Sequence, residues 1–197
     1  MTRRLILASG SQIRRQILLD AGIDFETIKS DVDEDQLKQT RAELSPADMA
    51  LLLAEAKAVQ VSSRYPDALV LGADQTMELD GVLLDKLPRR DLARQRLLAM
   101  RGRAHQLHSG LILAQAGKSI WQHQQSSALW VRDFSDAFLD QYLSRAGDEL
   151  TVSVGAYAFE GLGAQLFQRV DGDFHAVLGL PLLPLLEQLR HQGNLMR

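Results

Sequence analysis

Leu5-Ile6-Leu7-Ala8-Ser9-Gly10-Ser11-Gln12-Ile13-Arg14-Arg15 decides how the rest of this 197-residue chain is read. An apolar strand runs into a loop of small residues, and a helix follows at once. Its apolar positions Ile13, Ile17, Leu18 and Ala21 recur at helical spacing and stop at Gly22. Such a loop leaves backbone N–H groups open to an anion at the helix start, and Arg14 and Arg15 add positive charge one turn in. The unit therefore predicts an α/β fold whose first turn holds phosphate, with Ser9, Ser11 and Arg14 as the side chains in reach. A helix cap beside a surface arginine is the competing reading of the same residues.

Working outward, Phe25, Thr27 and Lys29 alternate with Glu26 and Ile28 as in a strand, and residues 30–35 form an acidic, turn-prone stretch. Ser45-Pro46 opens a long helix reaching about Ser63, with Lys57 near its buried stripe. Residues 68–73 read as a buried strand that delivers Asp74 at its carboxyl end, where open α/β sheets place ligands. Asp80-Gly81 predicts a hairpin that returns Lys86 beside Asp74. A helix over about 90–100 leads to a β-ribbon of strands 104–116 and 119–131 joined at Gly117-Lys118, then to an amphipathic helix capped by Ser135. Pro181 opens a last apolar helix reaching Leu189, and neither a repeat nor a linker interrupts the chain, which predicts one domain over residues 1–197.

Composition narrows the function classes. With 46% hydrophobic and 24% charged residues the chain is ordinary for a globular protein, and a net charge of -3 argues against a nucleic-acid polymer as partner. The absence of cysteine removes disulfides, thiolate nucleophiles and sulfur-ligated zinc, leaving oxygen chemistry. No apolar run has the length of a signal-peptide core or a membrane span, so a cytoplasmic protein without a membrane partner is expected. Asp74 and Glu34 are candidate metal-binding carboxylates, because magnesium and manganese prefer oxygen ligands; a turn aspartate and a solvated glutamate are the alternatives. The five histidines show no metal-ligand spacing and are assigned no role.

Several separated motifs together resemble the Maf nucleotide pyrophosphatases. They are LILASGS with Arg14-Arg15, Val32-Asp33-Glu34, the LLLAEAKA helix, Gly72-Ala73-Asp74, Lys86, the ribbon start with Gly102, His105 and Ser109-Gly110, Gly155-Ala156-Tyr157 and the terminal VDGDFHAVLGLPL, which between them cover nearly the whole chain. The resemblance implies an elongated mixed α/β sheet with flanking helices and a central cleft between two lobes, as in inosine triphosphate pyrophosphatases. It implies hydrolysis of a nucleoside triphosphate between its α and β phosphates, a divalent magnesium or manganese ion on Asp74 and Glu34, and a homodimer. Lys57 and Lys86 would grip triphosphate oxygens, with Ser9, Ser11 and Arg14 beside them.

The family's usual loop is Ser-Pro-Arg-Arg where this chain has Ser11-Gln12-Ile13-Arg14, and proline usually stands where Leu87 follows the lysine. The branch resembling 7-methyl-GTP pyrophosphatases also lacks the first loop arginine, and it carries Asp-Gln at Asp74-Gln75 and Glu-Gly-Leu-Gly at Glu160-Gly161-Leu162-Gly163. Gln75 and Glu160 are accordingly the substrate-specificity candidates. A carboxylate at 160 accepts paired hydrogen bonds from a guanine edge, and 7-methylation makes that ring cationic. Two other readings stand: a pyrophosphatase of the same family preferring dTTP or UTP, and a nucleotide-binding regulator of septum formation with little hydrolysis.

Overall fold

A computed structural model describes residues 3–196. The chain divides into two compact units, the first made of residues up to Gln75, His108–Gln125 and the chain from Asp173 on, the second of Thr76–Leu107 and Ser126–Gly172. In chain order the strands are β1 (Leu5–Leu7), β2 (Glu26–Thr27), β3 (Leu69–Leu79), β4 (Val82–Leu84), β5 (Ala104–Gln115), β6 (Lys118–Val131) and β7 (Phe167–Asp171). They form one seven-stranded mixed sheet in the order β2-β1-β3-β5-β6-β7, with β4 paired to β3. The helices are α1 (Gln12–Asp20), α2 (Glu34–Thr40), α3 (Pro46–Arg64), α4 (Ala93–Met100), α5 (Asp136–Arg145), α6 (Glu149–Val152), α7 (Phe174–Val177) and α8 (Leu182–His191). Among the described residues no helix is long and apolar enough to cross a membrane.

Strand parity sorts the first unit's core into two faces. Leu5, Leu7, Leu69, Leu71, Ala73, Leu111 and Leu113 pack with Ile17 and Leu18 of α1 and with Leu182, Leu185 and Leu189 of α8. The alternate positions Ile6, Ala8, Val70, Ile112 and Ala114 pack with Ala54, Ala58 and Val61 of α3. Alternation along a strand thus sends residue 74 toward α3 and residue 75 toward the opposite face. Two glycines bring α3 unusually close. A Cβ at Gly72 would stand 2.1 Å from the Ala54 carbonyl oxygen, and one at Gly110 would stand 2.7 Å from the backbone of Ala50 and Leu51.

The opening unit forms as the sequence implies, with Ser11 at the N-cap of α1 and Ser45 capping α3 ahead of Pro46. The hairpin also forms, with Asp80 and Gly81 both at positive φ and Leu79 paired to Val82. Four expectations are corrected. Asp74 does not end a strand: the parallel partner β1 stops at Leu7, opposite Leu71, but β3 runs on to Leu79, where β4 supplies antiparallel pairing. The ribbon turns at Ala116-Gly117, both at positive φ, one residue earlier than the Gly117-Lys118 expected. Residues 30–35 are not all turn, because Asp33 accepts from the Gln36 N–H at 2.9 Å and starts α2 at Glu34. The strand expected across residues 25–29 shrinks to Glu26–Thr27, the two positions that pair with β1. The short elements α6, β7 and α7 have no counterpart in the sequence reading.

Candidate active site

The first unit gathers most of the candidate residues around the end of β1. Lys57 lies on the buried face of α3, between Ala54 and Ala58, and the close approach at Gly72 holds its side chain against β3 two residues further on. Its ammonium donates to Asp74 Oδ1 and stands 2.8 Å from Glu34 Oε1. The Lys57 and Asp74 side chains are 7% and 10% exposed, whereas Glu34 is 45% exposed, so two members of this charged group are desolvated and the third opens to solvent. By formal charge, one cation between two carboxylates leaves a negative charge uncompensated.

Ser9 and Ser11 shape the loop rather than standing apart from it. Ser9 Oγ accepts from the Ser11 N–H at 3.3 Å, and Ser11 Oγ accepts from the Arg14 N–H at 3.5 Å. Arg14 is buried, and its guanidinium donates to Ser9 Oγ at 3.2 Å, the Ala73 carbonyl at 2.9 Å and the Gly179 carbonyl at 2.9 Å. Burial pulls its pKa below the usual value while the charges of Asp74 and Glu34 push it back up. Arg14 thereby ties the first loop to β3 and to the turn before α8. Arg15 faces solvent.

Gln75, on the other face of β3, turns its amide toward α7. Its Nε2 donates to the carbonyls of Ala176 at 2.9 Å and Val177 at 3.2 Å and lies 3.2 Å from Ser109 Oγ, which itself donates to Ala176 O at 3.0 Å. Gln75 therefore ties β3 to the backbone of α7. Ser109 belongs to the ribbon-start motif of the family resemblance, but the sequence assigns it no role.

A cavity of about 520 Å³ opens beside the charged trio, lined by Ser9, Gly10, Lys29, residues 30–35 and Lys57. The two remaining candidates belong to the second unit. Lys86 is exposed, two residues past β4, and Glu160 is exposed just before the single-turn helix at Leu162–Leu166. Among the described residues no three His, Asp or Glu side chains gather as a group able to hold a metal. Two carboxylates, Asp74 and Glu34, converge on one point, and that point is taken by the Lys57 ammonium.

The model of the Maf-like proteins matches residues 4–192. The chain belongs to the Maf-like protein family. A nucleoside triphosphate pyrophosphatase of Maricaulis maris is 68% identical over 192 residues, covering 98% of both chains. A 7-methyl-GTP pyrophosphatase of Mesorhizobium japonicum is 45% identical over 195 residues, again covering 98% of each. Among solved structures, a dITP/XTP pyrophosphatase of Mycobacterium abscessus is similar at 13% identity and a TM-score of 0.36, over 66% of this chain and 75% of that one. The trio of Lys57, Asp74 and Glu34 lies within the Maf-like match.

Proposed function

We propose that this Maf-like chain cleaves 7-methyl-GTP between its α and β phosphates, giving 7-methyl-GMP and pyrophosphate. Its family and its 68% identity to a nucleoside triphosphate pyrophosphatase make it a hydrolase of nucleotide phosphoanhydrides. The observation that carries the reading is the charged trio itself, one lysine between two carboxylates, of which Lys57 and Glu34 line a cavity that also exposes the Ser9-Gly10 loop.

In the proposed reaction a water oxygen attacks the α-phosphorus, the bond from that phosphorus to the bridging oxygen breaks, and pyrophosphate leaves with the electron pair. The water's proton passes to a carboxylate of the site or to solvent. An all-oxygen pair of carboxylates suits magnesium or manganese, which retain several waters, so Asp74 and Glu34 are the residues that would hold such an ion. Bound there, the ion would draw charge from the phosphate oxygens. Lys57 offsets part of the charge of the two carboxylates and lines the cavity that would admit the phosphates, while the N–H groups at the start of α1 and the hydroxyls of Ser9 and Ser11 suit phosphate oxygens. Lys86 is assigned to the phosphates on the family resemblance alone. Arg14 and Gln75 act by position, the first holding the phosphate loop and the second holding the segment before α8.

The base preference rests on Ile13, Gln75 and Glu160, and relatives at 43–45% identity bear the name 7-methyl-GTP pyrophosphatase. Pyrophosphate release from 7-methyl-GTP, GTP, dTTP and UTP, in magnesium and in manganese, tests the reading. The native protein should favour 7-methyl-GTP, Asp74→Asn should lower turnover by about 10²–10³-fold, and Glu160→Gln should erase most of the preference for the methylated base. Equal or faster cleavage of dTTP or UTP would overturn the base assignment, and an Asp74→Asn protein with parental turnover would overturn the site.

A further inference from the structure

We infer that Lys29 is a phosphate-binding residue, its ammonium engaging the β and γ phosphates of the substrate and then the pyrophosphate they become. The inference rests on the hydrolytic reading above and adds a residue that neither the sequence motifs nor the charged trio contains.

Register puts Lys29 there. β1 and β2 pair in parallel with Ile6 opposite Glu26 and Leu7 opposite Thr27, and the Ile28 N–H donates to the Leu7 carbonyl at 3.1 Å. The chain leaves β2 at Thr27, so Lys29 emerges two residues on, beside the Ser9-Gly10 loop that lines the cavity. Its methylene arm lies across Gly10, with Cγ, Cδ and Cε at 3.6–3.9 Å from where a Cβ of residue 10 would be, and the side chain lines the same cavity as Ser9 and Lys57.

Charge accounting then separates Lys29 from its neighbours. Lys57 is desolvated and held between Asp74 and Glu34, and Arg14 is buried with its donors on Ser9, Ala73 and Gly179. Three of the four acids that line the cavity are engaged: Asp31 pairs with Arg64 at 3.1 Å, Asp33 caps α2, and Glu34 meets Lys57, while the fourth is Asp35. Lys29 is the exposed cation on this cavity, and a lysine at the rim, anchored by its stem and free at its head, suits the distal end of a triphosphate.

Binding of inorganic pyrophosphate by the full chain in magnesium buffer, by calorimetry, tests this without requiring turnover. Lys29→Ala should weaken pyrophosphate by about tenfold, raise KM for the triphosphate by a larger factor than it lowers kcat, and leave the melting temperature in place. Lys29→Arg should restore most of the binding, and Lys118→Ala, which removes an equal charge from the exposed ribbon turn, should change nothing. The loss should shrink as salt rises. A Lys29→Ala protein that binds pyrophosphate within twofold of the parent, or a parent that binds none, overturns the inference. If instead the parent releases no pyrophosphate from any triphosphate while Lys29→Ala still loses the anion, the hydrolytic reading fails and the Lys29 assignment stands.

Discussion

Replacing Gly72 by alanine should disable the site through the fold, without touching a charged group. The new Cβ would stand 2.1 Å from the Ala54 carbonyl oxygen, 2.8 Å from Ala58 Cβ and 2.9 Å from the Ala58 nitrogen. Ordinary contact for such atoms begins above 3 Å, so α3 and β3 must separate by about 1 Å. Two of the three obstacles are backbone atoms of a helix, which cannot rotate away as a side chain would. Overpacking a tight core in this way costs about 1–3 kcal/mol, and 1 kcal/mol moves the melting temperature of a chain this size by about 2–4 °C. A drop of roughly 6–12 °C therefore corresponds to the upper end. The same displacement draws Lys57 away from Asp74, and a misplacement of about 1 Å is enough to lower a rate by about 10²-fold. Thermal unfolding and kcat/KM for pyrophosphate release read the two effects on one preparation. Ala58→Gly added to Gly72→Ala should recover only part of each, since it removes the Ala58 methyl and leaves the Ala54 carbonyl. A Gly72→Ala protein melting within 2 °C of the parent, with kcat/KM within about twofold, would refute the claim that this contact positions Lys57.

Two further perturbations act in the second unit and at the ribbon turn. His105 is 1% exposed, bonded through Nε2 to the Tyr157 hydroxyl at 2.7 Å, with Nδ1 buried and without a hydrogen-bond partner. Burial pushes its pKa down from 6.5 to about 4, so its contribution to stability is complete above pH 6.5 and is lost as the pH falls toward 4. Between pH 7 and pH 5 that amounts to about 2 kcal/mol. Urea unfolding at both pH values should show this excess acid sensitivity in the parent and its loss in His105→Gln, and parallel pH profiles would count against it. Ala116 holds φ at 48° in the β5–β6 turn, where glycine is unstrained, so Ala116→Gly should raise stability by about 0.5–1 kcal/mol, a gain that a lowered melting temperature would contradict.

Much of the architecture was legible because local signals agreed with packing. Ser11 and Ser45 announce two helices that the apolar spacing then confirms, and the Asp80-Gly81 pair fixes its hairpin by demanding positive φ. Asp74-Gln75 misled for a physical reason. Two polar residues after an apolar run read as the end of a strand, yet here the strand continues because each polar group finds a partner, Asp74 in Lys57 on one face and Gln75 in the Ala176 and Val177 carbonyls on the other. Gly72 and Gly110 carried a usable signal, since a lone glycine in a strand marks close backbone approach. Lys29 carried none: an exposed lysine beside a two-residue strand is indistinguishable in sequence from any solvated charge, and only the pairing of β2 with β1 brings its stem across Gly10.

The charged trio also asks why the fold keeps it. A buried ion pair contributes little net stability, because desolvating two charges costs about as much as their attraction returns, and apolar residues of similar size would pack at least as well between α3 and β3. Lys57 and Asp74 nonetheless sit where two glycines have brought backbone to backbone, and the third charge, Glu34, comes from a helix that Asp33 caps at the cavity edge. Three separate local features thus converge on one cluster that stability does not require. On the proposed function, phosphate entering from the cavity would compete for the Lys57 ammonium, and Asp74 and Glu34 would then be the residues to hold a divalent ion. On that argument substrate and metal should each strengthen the other's binding, since each relieves the charge that the other leaves uncompensated.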